Sequence, residues 1–268
     1  MIDHGKKNIL GILIDAIDFD AGLERVVAAA HQRRGYSVSA IAVHGLMTGV
    51  LDKCQRYRLN QFDMLTPDGQ PVRWALNWLY RLGLKRTVDG PTFMLRLCER
   101  AAEEELPIFL FGNTDETLAI LKNNLLEKYP KLQIAGMRAS AFRQLTESER
   151  DEVNQEIRDS GAKITFCGLG CPRQEVWTFE CRDTLSMPVI SVGAAYSFHA
   201  EIVPWAPKRL KDWGLEWLYR LVHDPKRLWQ RYLVLGPAYL GLLVSQLVGL
   251  RRFDPADVSL PKNQIFYG

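Results

Sequence analysis

Ile164-Thr165-Phe166-Cys167-Gly168-Leu169-Gly170-Cys171-Pro172-Arg173-Gln174-Glu175 is the stretch on which the fold turns. Its first four residues are apolar or β-branched, and the run is too short for a helix. It reads as a buried strand, Ile164–Cys167. Two glycines and a proline break it. An amphipathic pattern over residues 173–185 then predicts a helix. The unit is strand, glycine-rich turn, helix.

The same unit recurs outward in both directions. Strands are predicted at Ile9–Ile14, Ser39–Val43, Met64–Leu65, Ile108–Phe111, Leu132–Ala135 and Val189–Val192. Helical patterns cover 19–32, 45–57, 71–82, 91–105, 115–128 and 146–160, with Asp115 and Thr146–Glu149 as first-turn or capping residues. This alternation predicts an α/β fold, a Rossmann-like, doubly wound and mostly parallel sheet. Such sheets bind ligands in the crevice at the carboxyl ends of their strands.

The residues expected at that edge are unusual. They are His44-Gly45, Thr66-Pro67-Asp68-Gly69, Gly112-Asn113-Thr114, the Gly168–Gly170 turn leading to Gln174, and Gly193-Ala194-Ala195. Glycine there lets a backbone approach a phosphate or sugar, and a following helix N-terminus favours an anion. One such loop is an ordinary turn; five on one edge point to a nucleotide-type pocket. None is a Walker A loop or a GxGxxG fingerprint, and no acidic residue follows at ribose spacing, which argues against a dehydrogenase.

Composition sets outer limits. The 268 residues are 47% apolar and 24% charged, with a net charge of +3. A disordered chain, a collagen-like fibre and a polytopic membrane protein are excluded. The charge is uneven: residues 201–252 carry nine Lys/Arg and four Asp/Glu, a net +5, against −2 for the remainder. A basic C-terminal segment on a mildly acidic body implies an anionic partner. The five cysteines show no framework spacing and read as reduced thiols; Cys167 and Cys171 lack the second pair a zinc site needs. The N-terminal residues do not read as a signal peptide.

After Pro204-Trp205-Ala206-Pro207 the rhythm changes. Lys208–Val222 interleaves Trp213, Trp217 and leucines with Lys208, Arg209, Lys211 and Arg220; Pro225 opens a further helix. Tyr232–Leu250 is almost wholly apolar and about as long as a bilayer span. Its Gly236-Pro237 break and Ser245-Gln246 pair favour a helix at the interface or packed on the body. Basic residues among tryptophans suit an anchor on anionic lipid, or an amphipathic pair covering a core. The expected organisation is an α/β body over 1–203, a helical, membrane-associating appendage over 204–252 and a tail over 253–268.

These features resemble the WecG/TagA/CpsF glycosyltransferases, glycosyltransferase family 26. The resemblance runs from Gly11-Ile12-Leu13-Ile14-Asp15 to about residue 235. It is strongest at Pro67-Asp68-Gly69, Gly168–Glu175, Val192-Gly193-Ala194-Ala195 and Gly214-Leu215-Glu216-Trp217-Leu218-Tyr219-Arg220-Leu221. It implies an inverting transfer from a UDP-sugar to a sugar on polyprenyl diphosphate, in exopolysaccharide or surface-glycan assembly. It places the protein peripherally on the cytoplasmic face of the bacterial inner membrane, and leaves room for a homo-oligomer. Asp68 matches the family's proposed general base, Arg86 an arginine near the pocket, and Gln174 an active-site glutamine. Arg220, Arg227 and Arg231 match arginines that close over the donor diphosphate. No metal or other cofactor is implied.

The residue types fit that chemistry. A carboxylate can take the acceptor hydroxyl's proton, and arginine forks can meet the leaving diphosphate in place of a divalent metal. Asp68 also sits where a type I turn favours aspartate, and the arginines would equally form a solvated or lipid-facing basic face. Three departures mark a subgroup. The usual Thr-x-Asn loop reads Ala42-Val43-His44, with His44 in the asparagine's place or simply structural. Tyr196-Ser197-Phe198 replaces Phe-Asp-Phe, and Trp205-Ala206-Pro207 replaces Arg-Ala-Pro. An epimerase would need an NAD site and a Tyr-x-x-x-Lys pair, and neither is found. A non-catalytic nucleotide-sugar-binding protein at the membrane is the alternative. The basic, Trp-containing segment could stack on single strands, but the adjacent apolar run favours lipid, so no nucleic-acid partner is expected.

Overall fold

The structure is a computed structural model that describes residues 1–207, 209–210, 214–265 and 267–268. Lys208, Lys211 and Trp213 of the expected basic helix lie outside the described residues.

Six strands form an all-parallel sheet: β3 (Tyr36–Ile41), β4 (Met64–Pro67), β5 (Ile108–Phe111), β6 (Ile134–Arg138), β7 (Ile164–Cys167) and β8 (Pro188–Ser191). Their order is β4-β3-β8-β7-β5-β6. Except in β6, the strands are almost continuously buried, as a sheet covered on both faces requires. In β5, Ile108 and Leu110 join one core while Phe109 and Phe111 join the other.

One face is covered by α1 (Phe19–His31), α5 (Gly90–Glu103), α6 (Asp115–Lys128) and α9 (Ala195–His199). The other carries α2 (Val43–Leu51), α7 (Glu147–Asp159) and α8 (Arg173–Cys181), with α3 (Lys53–Asn60) against α8. Thr146 and Glu149 form the expected capping box at α7. All five cysteines are free.

Two expectations are corrected. Ile9–Ile14 is not one strand of the sheet. It straddles an antiparallel hairpin, β1 (Asp3–Ile9) and β2 (Ile12–Ile17), in a separate two-stranded sheet. Leu10 and Gly11 both have positive φ, 53° and 88°, the primed-turn geometry that closes a two-residue hairpin. The pattern over 45–57 is two helices, because Asp52 leaves the helical region and its carboxylate caps Cys54 and Gln55 at the start of α3.

The C-terminal segment comprises α10 (Glu216–His223), α11 (Pro225–Trp229), a π-helical turn at Gln230–Val234 and α12 (Leu235–Leu247). Tyr239 and Leu243 of α12 are fully buried in the core formed by the hairpin, α2 and α4 (Gln70–Tyr80). The apolar run over 232–250 thus packs one side on the body. No helix among the described residues is long and apolar enough to cross a membrane. The tail runs back over the body: Asn8 and Asn60 donate to the carbonyls of Phe253 and Pro255, and Tyr267 bridges to Gln144.

Candidate active site

The parallel sheet brings the five expected loops to one edge. Following strand order from β4, they present Asp68, His44, Gly193, Gly168 with Gly170, and Gly112 with Asn113.

The Gly-rich half is closely packed. Gly112 has φ +105°, and a Cβ there would lie 2.9 Å from the Gly168 carbonyl carbon. A Cβ on Gly168 would in turn lie 2.5 Å from the Tyr196 ring. Gly112→Ala is therefore expected to lose about 2–4 kcal/mol, through a strained φ and a backbone clash, as measured by denaturant unfolding. Asn113 is left-handed at φ 61°, and its carbonyl accepts from Ser140. The first turn of α6 carries Asp115 and Glu116, so this end repels a diphosphate.

The cationic end lies over β3 and β4. Asp68 follows β4 directly, with its backbone N–H on the Ile41 carbonyl at 3.1 Å. Its side chain is half-buried, and no hydrogen bond to it is found among the described residues. Burial, reinforced by Asp89 and Glu216 nearby, pushes its carboxyl up to about 7, against the opposing pull of Arg220 and Arg231. The Arg220 guanidinium sits over the Phe198 ring, 5.4 Å from its centroid, and Trp205 packs on that ring. One departure from the family pattern, Trp205, thus backs the ring on which an arginine rests.

Arg231 Nη2 lies 2.9 Å from His44 Nδ1 in the first turn of α2. An arginine only donates, so Nδ1 accepts and the ring proton sits on Nε2. Burial and the Arg231 charge push His44 down to about 4, which keeps it neutral. With that lone pair engaged, His44 holds Arg231 and leaves Asp68 as the open basic oxygen. Cys171 lies beside the same group, its Sγ 3.5 Å from where a Gly45 Cβ would stand.

Gln174 is 3% exposed. Its Oε1 accepts from Gly170 N at 3.2 Å, and its Nε2 donates to Glu175 Oε1 at 2.8 Å. Glu175 has no role that the sequence alone assigns. It is 1% exposed and accepts from Ser39 as well; burial pushes its carboxyl up. The available signal was a carboxylate between Gln174 and the buried pair Val176-Trp177 on a helix facing the sheet. Asp89 and Glu216, which raise Asp68, were also missed; only the folded chain brings them near.

Two expected residues stand apart from this group. Arg86 is exposed and lines a separate cleft with Asp18, Phe19 and Arg96. Arg227 is exposed and bonds Asp224 at 2.5 Å, because it closes the first turn of α11 on its own cap. Among the described residues, no three His, Cys, Asp or Glu side chains gather as a metal would require.

A Rossmann-like sheet with glycine-rich turns, a carboxylate and two arginines at its carboxyl edge defines an α/β protein whose candidate ligand site is that edge. The sequence model of the Glycosyl transferase WecG/TagA/CpsF family matches residues 7–253, nearly the whole chain, and the protein belongs to that family. It is thus a glycosyltransferase, with a sugar donor and an acceptor as its substrates.

Proposed function

We propose that this glycosyltransferase moves a sugar, with inversion, from a UDP-sugar to a sugar carried on polyprenyl diphosphate. The reaction is a step in exopolysaccharide or surface-glycan assembly at the cytoplasmic face of the bacterial inner membrane. The observation that carries the reading is the open carboxyl of Asp68, titrating near neutrality beside Arg220 and Arg231.

In this mechanism the acceptor hydroxyl attacks the anomeric carbon as its bond to the diphosphate breaks, and Asp68 takes the hydroxyl proton. A base with a pKa near the working pH is well matched to that task. Arg220 and Arg231 meet the charge growing on the leaving diphosphate, the work a divalent cation does in other transferases. Arg231 is aimed by His44 and Arg220 by Phe198. The glycine-rich half takes the nucleoside, and Glu175 fixes the Gln174 amide at its floor.

Peripheral attachment is supported by exposed Trp217, Leu218, Val222 and Trp229 next to Lys226 and Arg227. Truncation at Pro204 would be a poor test of it. That cut strips Tyr239 and Leu243 from the core, and a fully buried large apolar side chain contributes about 1.5–3 kcal/mol.

The deciding experiment is a UDP-release screen of several UDP-sugars against glucose and N-acetylglucosamine linked to polyprenyl diphosphate, with and without EDTA. One donor–acceptor pair should release UDP and form a disaccharide lipid at the same rate in both. Nucleotide-sugar binding without release from any pair would instead assign a non-catalytic binding protein.

A further inference from the structure

We infer that the seam between α4 and α12 seats the isoprenoid chain of the acceptor and leads its sugar to Asp68. The inference rests on the lipid-acceptor reading above.

Both helices start at the site. α4 begins two residues after Asp68, behind Gly69, whose φ of +80° turns the chain and which offers no side-chain cap. α12 follows directly on the π-helical turn that carries Arg231. At this near end the Tyr239 hydroxyl donates to the Pro71 carbonyl at 3.1 Å. At the far end both helices reach the hairpin turn. The Tyr80 hydroxyl donates to the Asn8 carbonyl at 2.8 Å, and Gln246 Nε2 donates to the same oxygen at 3.1 Å. The two helices therefore run side by side in one direction. Their seam is about 16.5 Å long, from an eleven-residue helix at 1.5 Å per residue.

The seam's chemistry is that of a lipid chain. One flank of α4 is occupied, since Arg73 and Asn77 both donate to the Leu84 carbonyl. The other flank carries Pro71, Trp74 and Trp78. The two tryptophans stack at 5.9 Å and are 37% and 52% exposed. α12 adds exposed Leu240, Val244 and Leu247. Neither helix has an acidic residue. Beyond the far end stand Arg81, Arg251 and Lys7, with Lys7 over the Tyr80 ring and Arg251 over that of Phe253. An apolar track with a cationic exit fits an isoprenoid chain emerging among anionic headgroups. Exposed aromatic and aliphatic side chains on two neighbouring helices suit a binding face.

The test has two arms. A benzophenone-bearing farnesyl diphosphate is photolysed with the wild-type protein and its adducts mapped by mass spectrometry. They should fall on residues 70–80 and 235–247. In the second arm, kcat/KM is compared for a long polyprenyl and a short alkyl diphosphate-linked sugar. The long-over-short preference should fall about tenfold in Trp74→Ala/Trp78→Ala and be restored largely by Trp74→Phe/Trp78→Phe. Adducts elsewhere, or an unchanged preference in the alanine variant, overturn the inference. So does a wild-type dimer that the alanine variant splits without changing the preference, which would give the face to a second copy. Adducts in the seam with no transfer to any acceptor refute the enzymatic reading and leave the seam assignment standing.

Discussion

Asp68→Asn is expected to lower sugar transfer by about 10²–10⁴-fold, the usual contribution of a positioned general base, while leaving UDP binding largely intact. The two readouts separate a lost proton acceptor from a lost pocket. Asparagine keeps the shape and the Pro67-Asp68-Gly69 turn but cannot accept the proton. Wild-type activity in this variant would remove Asp68 from the mechanism. The pH profile is a second check. Transfer requires the ionised carboxylate, so wild-type kcat/KM should climb with pH through a midpoint of about 7, and the residual activity of the variant should not. Stability moves the opposite way. The folded state raises this carboxyl from 3.8 to about 7, so folding favours the protonated form. Stability is greatest below the unfolded value and is lost as pH rises towards the folded one. Asp68→Asn should therefore unfold later than wild type at pH 8, by about 1–2 kcal/mol, with the gain shrinking towards pH 5. The full linkage value is not expected, because Asp68 is only partly buried.

Arg231→Ala is expected to cost about 10²–10³-fold in kcat, the scale for removing a donor aimed at developing charge. Arg231→Lys should recover little. A lysine ammonium cannot bond His44 and still present a planar fork to a diphosphate. His44 reports on the same change. Part of the depression that holds it at about 4 comes from the Arg231 charge, so its pKa should rise in the alanine variant, as followed by NMR titration. An unmoved His44 with full activity would mean that this arginine neither contacts the ring in solution nor serves the reaction.

The strands of the sheet were legible because β5, β7 and β8 are short apolar runs between glycine- and proline-marked turns, with no competing pattern. The parallel order followed from their alternation with helices, and it alone places His44, Asp68, Gly112, Gly168 and Gly193 along one edge. The hairpin was missed because Ile9–Ile14 is uniformly apolar, which hides a reversal at Leu10-Gly11 that hydropathy does not mark. Asp52 was read through because a capping aspartate inside a longer amphipathic pattern looks like one more polar position. The arginines make the physical reason plainest. Arg220, Arg227 and Arg231 sit in one basic stretch and look equivalent in composition. Two approach Asp68, while the third bonds Asp224. The separation is set by helix phase and by a local cap, and neither is visible in charge spacing.

The π-helical turn at Gln230–Val234 has a consequence of its own. A wide turn holds one residue more than the α-helical turn it replaces, and so offsets the angular phase of everything before it against everything after it. Tyr239 and Leu243 lie after it and are fixed by the core; Arg231 lies within it and is fixed by His44. Deleting one residue there would restore a regular helix and swing Arg231 about 100° around the axis, with the packing face unmoved. The turn thus works as a detachable coupling between anchor and catalytic arm. A lineage could re-aim the arm by gaining or losing one residue, without redesigning the surface that holds the helix in place.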